Sequence, residues 1–226
     1  MDKSKSGHKD VSLGSEISDM KGSGTESNPY VITTVRHLQA IQNNLEANFI
    51  LGCDIDASET ESWNDGHGFE PIASEKSPFT GCLSGQGFSI NNLHINRPDE
   101  NNVGLFSAIG YSGLVENIIF ENNTVCGQHN VATIVGCNKQ GDVLNCKVNN
   151  SNILGNHIVG GAIGWNAMED SVAAKINSEQ VTVKGQESVG GVIGENEGHI
   201  YEISTKDPIS IGQKHSGSVI GFSEPS

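Results

Sequence analysis

Glycine-rich apolar segments recur along the chain at a nearly fixed interval. The segment that begins at Val159 reads VGGAIGWN, and the segment that begins at Val189 reads VGGVIGEN. Looser copies begin at Val103, Val131 and Ser216, so that successive copies start 28, 28, 30 and 27 residues apart. Self-similarity at a period of this size predicts a stack of similar supersecondary units.

Two further short segments follow each copy, and both predict strands. The second strands align as residues 90–95, 115–120, 143–148 and 200–205, with 171–176 as a weaker match. The third strands align as residues 123–125, 151–153, 181–183 and 208–210. The repeats lack the 3.6-residue periodicity of helical units. Three short strands per repeat therefore predict one coil of a parallel β-helix, with equivalent side chains stacked about 4.8 Å apart.

The region before the repeats has a different pattern. Residues 1–23 are polar and lack sustained periodicity, which predicts a flexible arm. Residues 24–226 are predicted to form a single β-helix domain, in which 24–78 are an N-terminal cap and 79–226 are the repeats. Within the cap, residues 57–78 are expected to be a long loop.

One helix is predicted in the cap, over about residues 35–47. Leu38, Ile41 and Leu45 lie at positions i, i+3 and i+7, which is one face of a helix. Thr33 and Thr34 precede this face, and both are plausible N-caps. Because a solenoid needs atypical units at its ends, we expect this apolar face to cover the open end of the first coil.

Asparagine and glycine positions are predicted to stabilise the bends. Asn92, Asn117 and Asn145 align in one column, where stacked amides can bond backbone groups that a bend leaves unpaired. Six glycines are expected to allow tight bends and positive φ: Gly104, Gly110, Gly136, Gly164, Gly194 and Gly221.

Composition agrees with a thin solenoid core. Hydrophobic residues make up only 35% of the chain and aromatic residues 5%, whereas glycine occurs 28 times. The formal net charge of −14 argues against non-specific binding to nucleic acid or to an anionic membrane surface. The sequence has neither an apolar run long enough to span a membrane nor an N-terminal signal segment. The expected location is a bacterial cell surface or outside the cell, reached by signal-less export or as a fragment of a longer protein, and a protein that stays inside the cell is the open alternative.

The five cysteines are expected to be small buried apolar residues. Their odd number and the lack of CxxC spacing argue against a zinc site and against a disulfide framework. Cys82 and Cys146 occupy strand positions otherwise held by aliphatic residues, so both are predicted to be buried and reduced. Cys137 and Cys146 flank a turn and are the pair that we would expect if a bridge formed.

Asp54 and Asp56 are weak candidates for a calcium site. They share one face of a predicted strand, and Glu59, Glu61 and Asp65 follow closely. Carboxylate oxygens are suitable Ca²⁺ ligands. The favoured interpretation is that both aspartates cap turns, so that the sequence predicts no cofactor and no resident metal.

Acidic residues and histidines raise the question of catalysis. Glycosidases need two carboxyl groups that face one bond, but Glu116 and Glu202 fall in different columns and on coils that are not adjacent. His129, His157 and His215 precede repeat starts, with Glu187 at the matching place between the last two. A metal-binding or pH-sensing edge would fit this pattern, although an exposed ladder of turn residues is the favoured interpretation.

The combined order of several motifs resembles bacterial GLUG-motif proteins over roughly residues 24–222. The segments that carry the resemblance are, in chain order, GTESNPYVI (24–32), CDID (53–56), FEPI (69–72), FTG (79–81), LSGQGFSI (83–90), NLHI (92–95) and the VGGxIG units. The resemblance implies an all-β, right-handed parallel β-helix of about five to six coils. It also implies a location at a cell surface, as in filamentous-haemagglutinin-like adhesins and the non-catalytic repeats of IgA-cleaving metalloproteases, and no catalytic residues.

The expected function is therefore a non-enzymatic bacterial binding or adhesion module that recognises a host protein or a glycan. Two alternatives stay open, which are a carbohydrate-active β-helix enzyme and a secreted effector that docks a host protein. The repeats stop shortly after the copy at Ser216. We therefore expect an open C-terminal end that either continues into further chain or permits self-association.

Overall fold

Equivalent strands of successive repeats pair in parallel, and the chain winds as a solenoid of about five coils. The computed structural model describes residues 16–223. The prediction of an all-β parallel β-helix with few helices is confirmed. Its right-handed sense stays a prediction.

The N-terminal part combines short helices with the first strands. Its elements are α1 (Glu16–Asp19), β1 (Tyr30–Ile32), α2 (Val35–Ala40), a 3₁₀ helix (Ile41–Asn43), β2 (Asn48–Leu51), β3 (Ile55–Asp56) and a kinked 3₁₀ segment (Ser58–Gly66). Residues 57–78 are thus partly helical rather than one long loop. The described structure also begins before residue 24, because α1 lies within the predicted arm and Lys21 of that arm forms an antiparallel bridge with Val31. Residues 1–15 of that arm lie outside the described part of the chain.

The coils follow from residue 82 onward, and their strands are mostly three or four residues long. The first coil contains β4 (Cys82–Ser84), β5 (Ser89–Asn91), β6 (His94–Asn96) and β7 (Phe106–Ile109). The second contains β8 (Leu114–Glu116), β9 (Ile119–Glu121), β10 (Thr124–Cys126), β11 (His129–Val131) and β12 (Val135–Asn138). The third contains β13 (Asp142–Leu144), β14 (Lys147–Asn149), β15 (Asn152–Leu154), β16 (His157–Gly160) and β17 (Ile163–Asn166).

The last two coils repeat this order. The fourth contains β18 (Val172–Ala174), β19 (Asn177–Glu179), β20 (Thr182–Lys184), β21 (Glu187–Gly190) and β22 (Ile193–Asn196). The fifth contains β23 (His199–Tyr201), β24 (Ser204–Lys206), β25 (Ile209–Ile211), β26 (Lys214–Gly217) and β27 (Ile220–Ser223).

The strands stack into five sheets, which are numbered here in the order in which a coil passes through them. The first sheet holds β1, β2, β4, β8, β13, β18 and β23, and the second holds β3, β5, β9, β14, β19 and β24. The third holds β6, β10, β15, β20 and β25. The fourth holds β11, β16, β21 and β26, and the fifth holds β7, β12, β17, β22 and β27.

A full coil therefore has five strands and not the three predicted. The predicted strand 143–148 is split, since Asn145 has φ 49° and turns the chain between β13 and β14. Left-handed backbone at a single residue is enough to start a new sheet, and asparagine tolerates it better than most residues.

The predicted register of the repeat starts agrees with the structure. Val103 pairs with Val131, Val131 with Val159, Val159 with Val189, and Val189 with Ser216. The side chains that point inward from each strand form apolar columns, as from Leu83 through Val115, Val143 and Ala173 to Ile200 in the first sheet.

The asparagine column was predicted only in part. Asn145 donates from Nδ2 to Oδ1 of Asn117 at 2.6 Å, so these two residues share a column. Asn92 lies elsewhere, because β5 pairs with β9 and places Ile90 opposite Phe120. The predicted alignment set residue 90 against residue 115, and it was therefore displaced by five residues. Asn92 donates instead to Asp56 Oδ1 at 3.0 Å.

The cap over the first coil is shorter than predicted. Helix α2 begins after Thr34, whose side chain accepts a hydrogen bond from the His37 N–H, and it passes into the 3₁₀ turn at Ile41. Leu38 and Ile41 are completely buried, whereas Leu45 lies beyond the helix and is half-buried. The predicted helix to residue 47 was wrong because the chain must turn at residue 44 to enter β2.

The far end of the stack is less apolar than the middle. In the fifth coil, Ser210 and Ser216 stand at inward positions that Val183 and Val189 occupy in the fourth coil. Ile200 and Val219 are only partly buried. Self-association through this end stays a prediction.

The cysteines are all free thiols. Cys137 and Cys146 are buried, and the pairing considered for them is absent. The prediction of burial was wrong for Cys53, Cys82 and Cys126, which are half-buried, Cys82 on an outward position of β4. Within residues 16–223, none of the helices has the length and apolar character needed to cross a membrane.

Candidate functional site

The fourth and fifth sheets lie side by side along the stacking direction, and a pocket of about 260 Å³ lies between them. Residues of both sheets line this pocket: His157, Ile158, Glu187, Ser188 and His215 from the fourth sheet, and Glu195 and Phe222 from the fifth. We call this feature the intersheet groove. Its volume is small for a site that encloses a whole small molecule, so an open groove that holds part of a larger ligand fits better.

The fourth-sheet wall is a column of ionisable side chains. His129 pairs with His157, His157 with Glu187, and Glu187 with Lys214. The two imidazole rings stack with centroids 4.9 Å apart. The predicted histidine edge was therefore correct for the first two members, but Lys214 takes the place expected for His215. His215 follows Lys214 and lies one position away from the column.

Glu187 links the members of this wall. Its carboxylate pairs with the Lys214 ammonium and lies 3.4 Å from His157 Nδ1 and 3.8 Å from His215 Nδ1. The hydrogen bond from Lys214 and, more weakly, the nearby Lys214 and histidine charges hold the pKa of the Glu187 carboxyl below its usual range. Glu187 is therefore an anion at neutral pH whose charge is already largely compensated.

The fifth-sheet wall is a column that contains two aromatic rings. Cys137, Trp165, Glu195 and Phe222 are paired in this order. Glu195 and Phe222 line the pocket, and the register places Trp165 one coil further along the same wall. Trp165 is only partly buried, and its Nε1 donates to Glu197 Oε1 at 3.2 Å.

The floor of the groove is formed by residues with left-handed backbone. Asn130, Ile158, Ser188 and His215 have φ of 54°, 57°, 53° and 51°. The His215 ring reaches the opposite wall and lies 4.9 Å from the Phe222 ring. Ile158 is unusual here, because β-branched residues rarely adopt positive φ, and such strain is typical of functional regions.

Glycines of the fifth sheet let the two walls meet below the groove. A Cβ on Gly164 would lie 2.5 Å from the carbonyl oxygen of Gly136 and 2.8 Å from the carbonyl carbon of Asn130. A Cβ on Gly194 would lie 2.7 Å from the backbone nitrogen of Val159. None of the six glycines that were expected to adopt positive φ does so. Gly136, Gly164 and Gly194 lie inside strands, and close backbone contact is the reason why glycine is needed there.

Hydrogen bonds connect the two walls at the N-terminal end of the groove. Glu75 accepts a hydrogen bond from Asn102 Nδ2 at 2.7 Å and pairs with Lys139 Nζ at 3.2 Å. Asn130 Nδ2 continues this network by donating to Asn102 Oδ1 at 2.7 Å. The Asn102 hydrogen bond and Lys139 lower the pKa of Glu75. Asn130 Oδ1 is buried and has no hydrogen-bond partner among the described residues.

Asp54 and Asp56 lie apart from this groove and bond turn groups. Asp54 accepts from the Ser89 backbone N–H at 2.8 Å and from its hydroxyl at 2.9 Å. Asp56 accepts from the backbone N–H of Ser58 at 3.0 Å and from Asn92. These hydrogen bonds lower the pKa of both carboxyls. Among the described residues, no group of three or more His, Cys, Asp or Glu side chains is arranged to hold a metal ion.

The acidic residues considered for catalysis are separated by the register. Glu116 pairs with Leu144 in the first sheet. Glu202 follows β23 on a bend with φ 52°, at the position that Asn145 and Lys175 occupy in earlier coils. The two glutamates thus stand in different columns, as the sequence indicated.

Sequence reasoning missed the fifth-sheet wall, although a signal was present. Trp165, Glu195 and Phe222 each follow the last glycine of a VGGxIG-type segment. They vary from copy to copy while their neighbours repeat. In a solenoid, a variable position flanked by repeating ones is expected to face outward, where side chains can contact a ligand.

The fold is a parallel β-solenoid with the intersheet groove along one side. No family model matches the chain. The chain is 43% identical over 122 residues to Halomucin from Haloquadratum walsbyi, and it is 42% identical over 101 residues to a "Putative Gly-rich membrane protein" from Evansella cellulosilytica. These matches cover 52% and 43% of the chain but only 1% and 11% of the relatives, so the chain spans a small part of each.

A solved structure shares the fold. The crystal structure of a "putative immunoglobulin A1 protease" from Bacteroides ovatus, at 1.30 Å resolution, superposes with a TM-score of 0.54. The match covers 83% of this chain and 68% of that chain. At 18% sequence identity this similarity concerns the fold alone.

Proposed function

We propose that this chain is a non-enzymatic binding module that recognises a host protein or a glycan at a cell surface or outside the cell. The observation that carries the proposal is the intersheet groove, whose two walls present different chemistry to one ligand. The fourth-sheet wall offers hydrogen-bonding and charged groups, and the fifth-sheet wall offers the rings of Trp165 and Phe222. A mostly apolar wall opposite a few oriented polar groups is the usual composition of a ligand site.

The comparisons support a surface setting for this module. One relative is named Halomucin and another a "Putative Gly-rich membrane protein". The chain's net charge of −14 suits a soluble, exposed module and disfavours nucleic acid as a partner. The resemblance to GLUG-motif repeats points in the same direction.

Ligand capture by the purified chain tests the proposal. The immobilised protein is exposed to a glycan array and to host surface-protein fractions, beside the variants Trp165→Ala and Tyr111→Ala. Tyr111 is 75% exposed and lies outside the groove. We expect capture that Trp165→Ala weakens by about tenfold or more, equivalent to about 1.4 kcal/mol, and that Tyr111→Ala leaves unchanged.

Three outcomes would contradict this function. The first is the absence of any captured ligand, and the second is equal capture by both variants. The third is release of shortened glycan products by the wild-type chain, since this would favour a carbohydrate-active enzyme. A chain that captures and keeps its ligand intact supports the binding module.

A further inference from the structure

We propose that the intersheet groove binds an uncharged glycan chain that lies parallel to the solenoid axis, with its sugar rings on Trp165 and Phe222. This inference rests on the proposed function and names the ligand class of the same groove. It follows from the spacing of the walls, from their chemistry and from their charge.

The spacing of the walls favours a glycan over a peptide. Neighbouring members of each wall are one coil apart, which is about 4.8 Å. A pyranose unit advances an extended glycan by close to one coil, and alternate units of a β-1,4-linked chain present the same face, so sugars two coils apart can make equivalent contacts, as Trp165 and Phe222 require. An extended peptide advances about 3.3 Å per residue, and its side chains fall out of step with the coils. The four members of the fourth-sheet wall, from His129 to Lys214, span three intervals, or roughly 14 Å.

The aromatic wall suits the apolar face of a sugar ring. The face of an aromatic ring carries negative potential and attracts weakly positive C–H groups, which line one face of many pyranoses. Trp165 and Phe222 stand in one column with Glu195 between them. The two rings are therefore two coils apart, and Glu195 between them can accept hydrogen bonds from sugar hydroxyls.

The opposite wall suits hydroxyl groups. His129 and His157 present ring nitrogens that donate or accept according to tautomer, and the Glu187 carboxylate accepts. The stacked imidazole rings and the contact of His157 with Glu187 hold these groups in fixed positions. Binding a polyhydroxylated ligand costs less when its partners are ordered beforehand.

The charge of the groove argues against an anionic chain. An anionic polysaccharide would meet the carboxylates of Glu187, Glu195 and Glu197 in a chain of net charge −14. Lys214 pairs with Glu187, whereas the hydrogen bond from Trp165 leaves Glu197 charged. A neutral glycan avoids this repulsion, and an extended cationic peptide is disfavoured by its spacing.

Tryptophan fluorescence tests the inference directly. The chain has two tryptophans, and Trp63 lies in the N-terminal 3₁₀ segment. The variant Trp63→Phe therefore leaves Trp165 as the reporter. The probes are β-1,4-linked hexasaccharides of glucose, mannose and N-acetylglucosamine, with hexagalacturonate as the anionic counterpart and a lysine-rich extended peptide as the cationic one.

We expect at least one neutral hexasaccharide to shift the Trp165 emission to shorter wavelength, with hexagalacturonate and the peptide at least about tenfold weaker. Affinity should rise from disaccharide to tetrasaccharide and then level off, because the fourth-sheet wall spans three coil intervals. Trp165→Ala should weaken binding measured by calorimetry at least about tenfold, and Trp165→Phe should restore most of it. Tyr111→Ala is the matched control, and far-UV circular dichroism of each variant checks folding.

Other results would overturn the inference. These are tighter binding of the charged probes, unchanged affinity in Trp165→Ala, or binding to none of the neutral glycans. If the capture experiment then still yields a protein partner, the binding module stands and the glycan assignment fails. If capture also yields nothing, both fail.

Discussion

Asn138 donates a hydrogen bond from its side-chain Nδ2 to Oδ1 of Asn166, one coil further along the stack, at 2.9 Å. Asn166 repeats the contact by donating to Asn196 Oδ1 at 2.8 Å. Asn138 and Asn166 are completely inaccessible to solvent. A buried polar group is costly unless it is paired, and this ladder pairs the amides with one another and with the carbonyl of Gly141.

Replacing Asn166 by alanine should destabilise the fold by about 1–3 kcal/mol. The change leaves Asn138 without one acceptor and Asn196 without one donor. Urea unfolding followed by circular dichroism measures the loss. Asn152→Ala, on an exposed strand position, should stay within about 0.5 kcal/mol of wild type. Equal stabilities for the two variants would show that the ladder contributes little.

Gly164→Ala should destabilise the protein by about 1–3 kcal/mol, because the added methyl group meets backbone atoms that cannot move aside. It should also weaken ligand capture, since the two walls must separate. Gly87→Asn is the control, because Gly87 has φ +84°, which asparagine tolerates, and a Cβ added there would have no other atom within 4 Å. Thermal unfolding and the capture assay report the two effects, and an unchanged Tm for Gly164→Ala would contradict the packing argument.

Ile158→Asn should stabilise the protein by about 1 kcal/mol, since asparagine adopts left-handed backbone at lower cost than a β-branched residue. Asn130 already occupies the same position one coil earlier. Chemical denaturation provides the measurement. Ile209→Asn, at a strand position 54% exposed, should give no such gain. A less stable Ile158→Asn variant would mean that the apolar contacts of Ile158 outweigh its backbone strain.

The Glu187 carboxylate should stabilise the fold at neutral pH and lose this effect in acid. Its pKa is lowered in the folded state, mainly by the hydrogen bond from Lys214, so its contribution is present above the unfolded pKa and disappears as the pH falls through the folded pKa. Tm values of wild type and Glu187→Gln should therefore differ at pH 7 and converge well below the ordinary value of 4.5. Glu202→Gln, on an exposed bend, is the control, and a gap that persists in acid would refute the assignment.

Cys137 and Cys146 should resist thiol reagents in the native protein. Burial raises the pKa of each thiol to about 12, and the thiolate is the reactive form. Titration at pH 8 should leave these two unlabelled, whereas denaturant should expose all five cysteines. Cys137→Ala and Cys146→Ala should each remove one slowly reacting thiol, and rapid native labelling of all five would count against burial.

The repeat register was predictable because Val and Ile recur beside glycines at fixed offsets. Val131, Val159 and Val189 pair as their sequence positions indicate. The bends between the five strands of each coil were not predictable from turn residues, since many residue types besides glycine and asparagine occupy them. Lys175 and Ile158 both adopt positive φ, and neither residue is a turn signal.

The groove was predictable only from one side. His129, His157 and Glu187 stood out as a series of ionisable residues, and the structure aligns them. His215 was misassigned because it precedes its repeat start at Ser216 by one residue, whereas the other members of the column precede theirs by two, so that Lys214 stands in the column. Trp165 and Phe222 were not recognised as one wall, since only the packing of the fifth sheet against the fourth brings them opposite the histidines.

Each wall residue pairs with its equivalent in the next coil, so the number of coils sets the length of the groove. Each coil contributes one member to each wall, as Trp165, Glu195 and Phe222 do in three successive coils. Duplication or loss of a single repeat in the gene would therefore lengthen or shorten both walls by one coil, while the remaining contacts kept their geometry. If the groove binds a polymer as proposed, its selectivity for polymer length would change in whole steps without the replacement of any side chain.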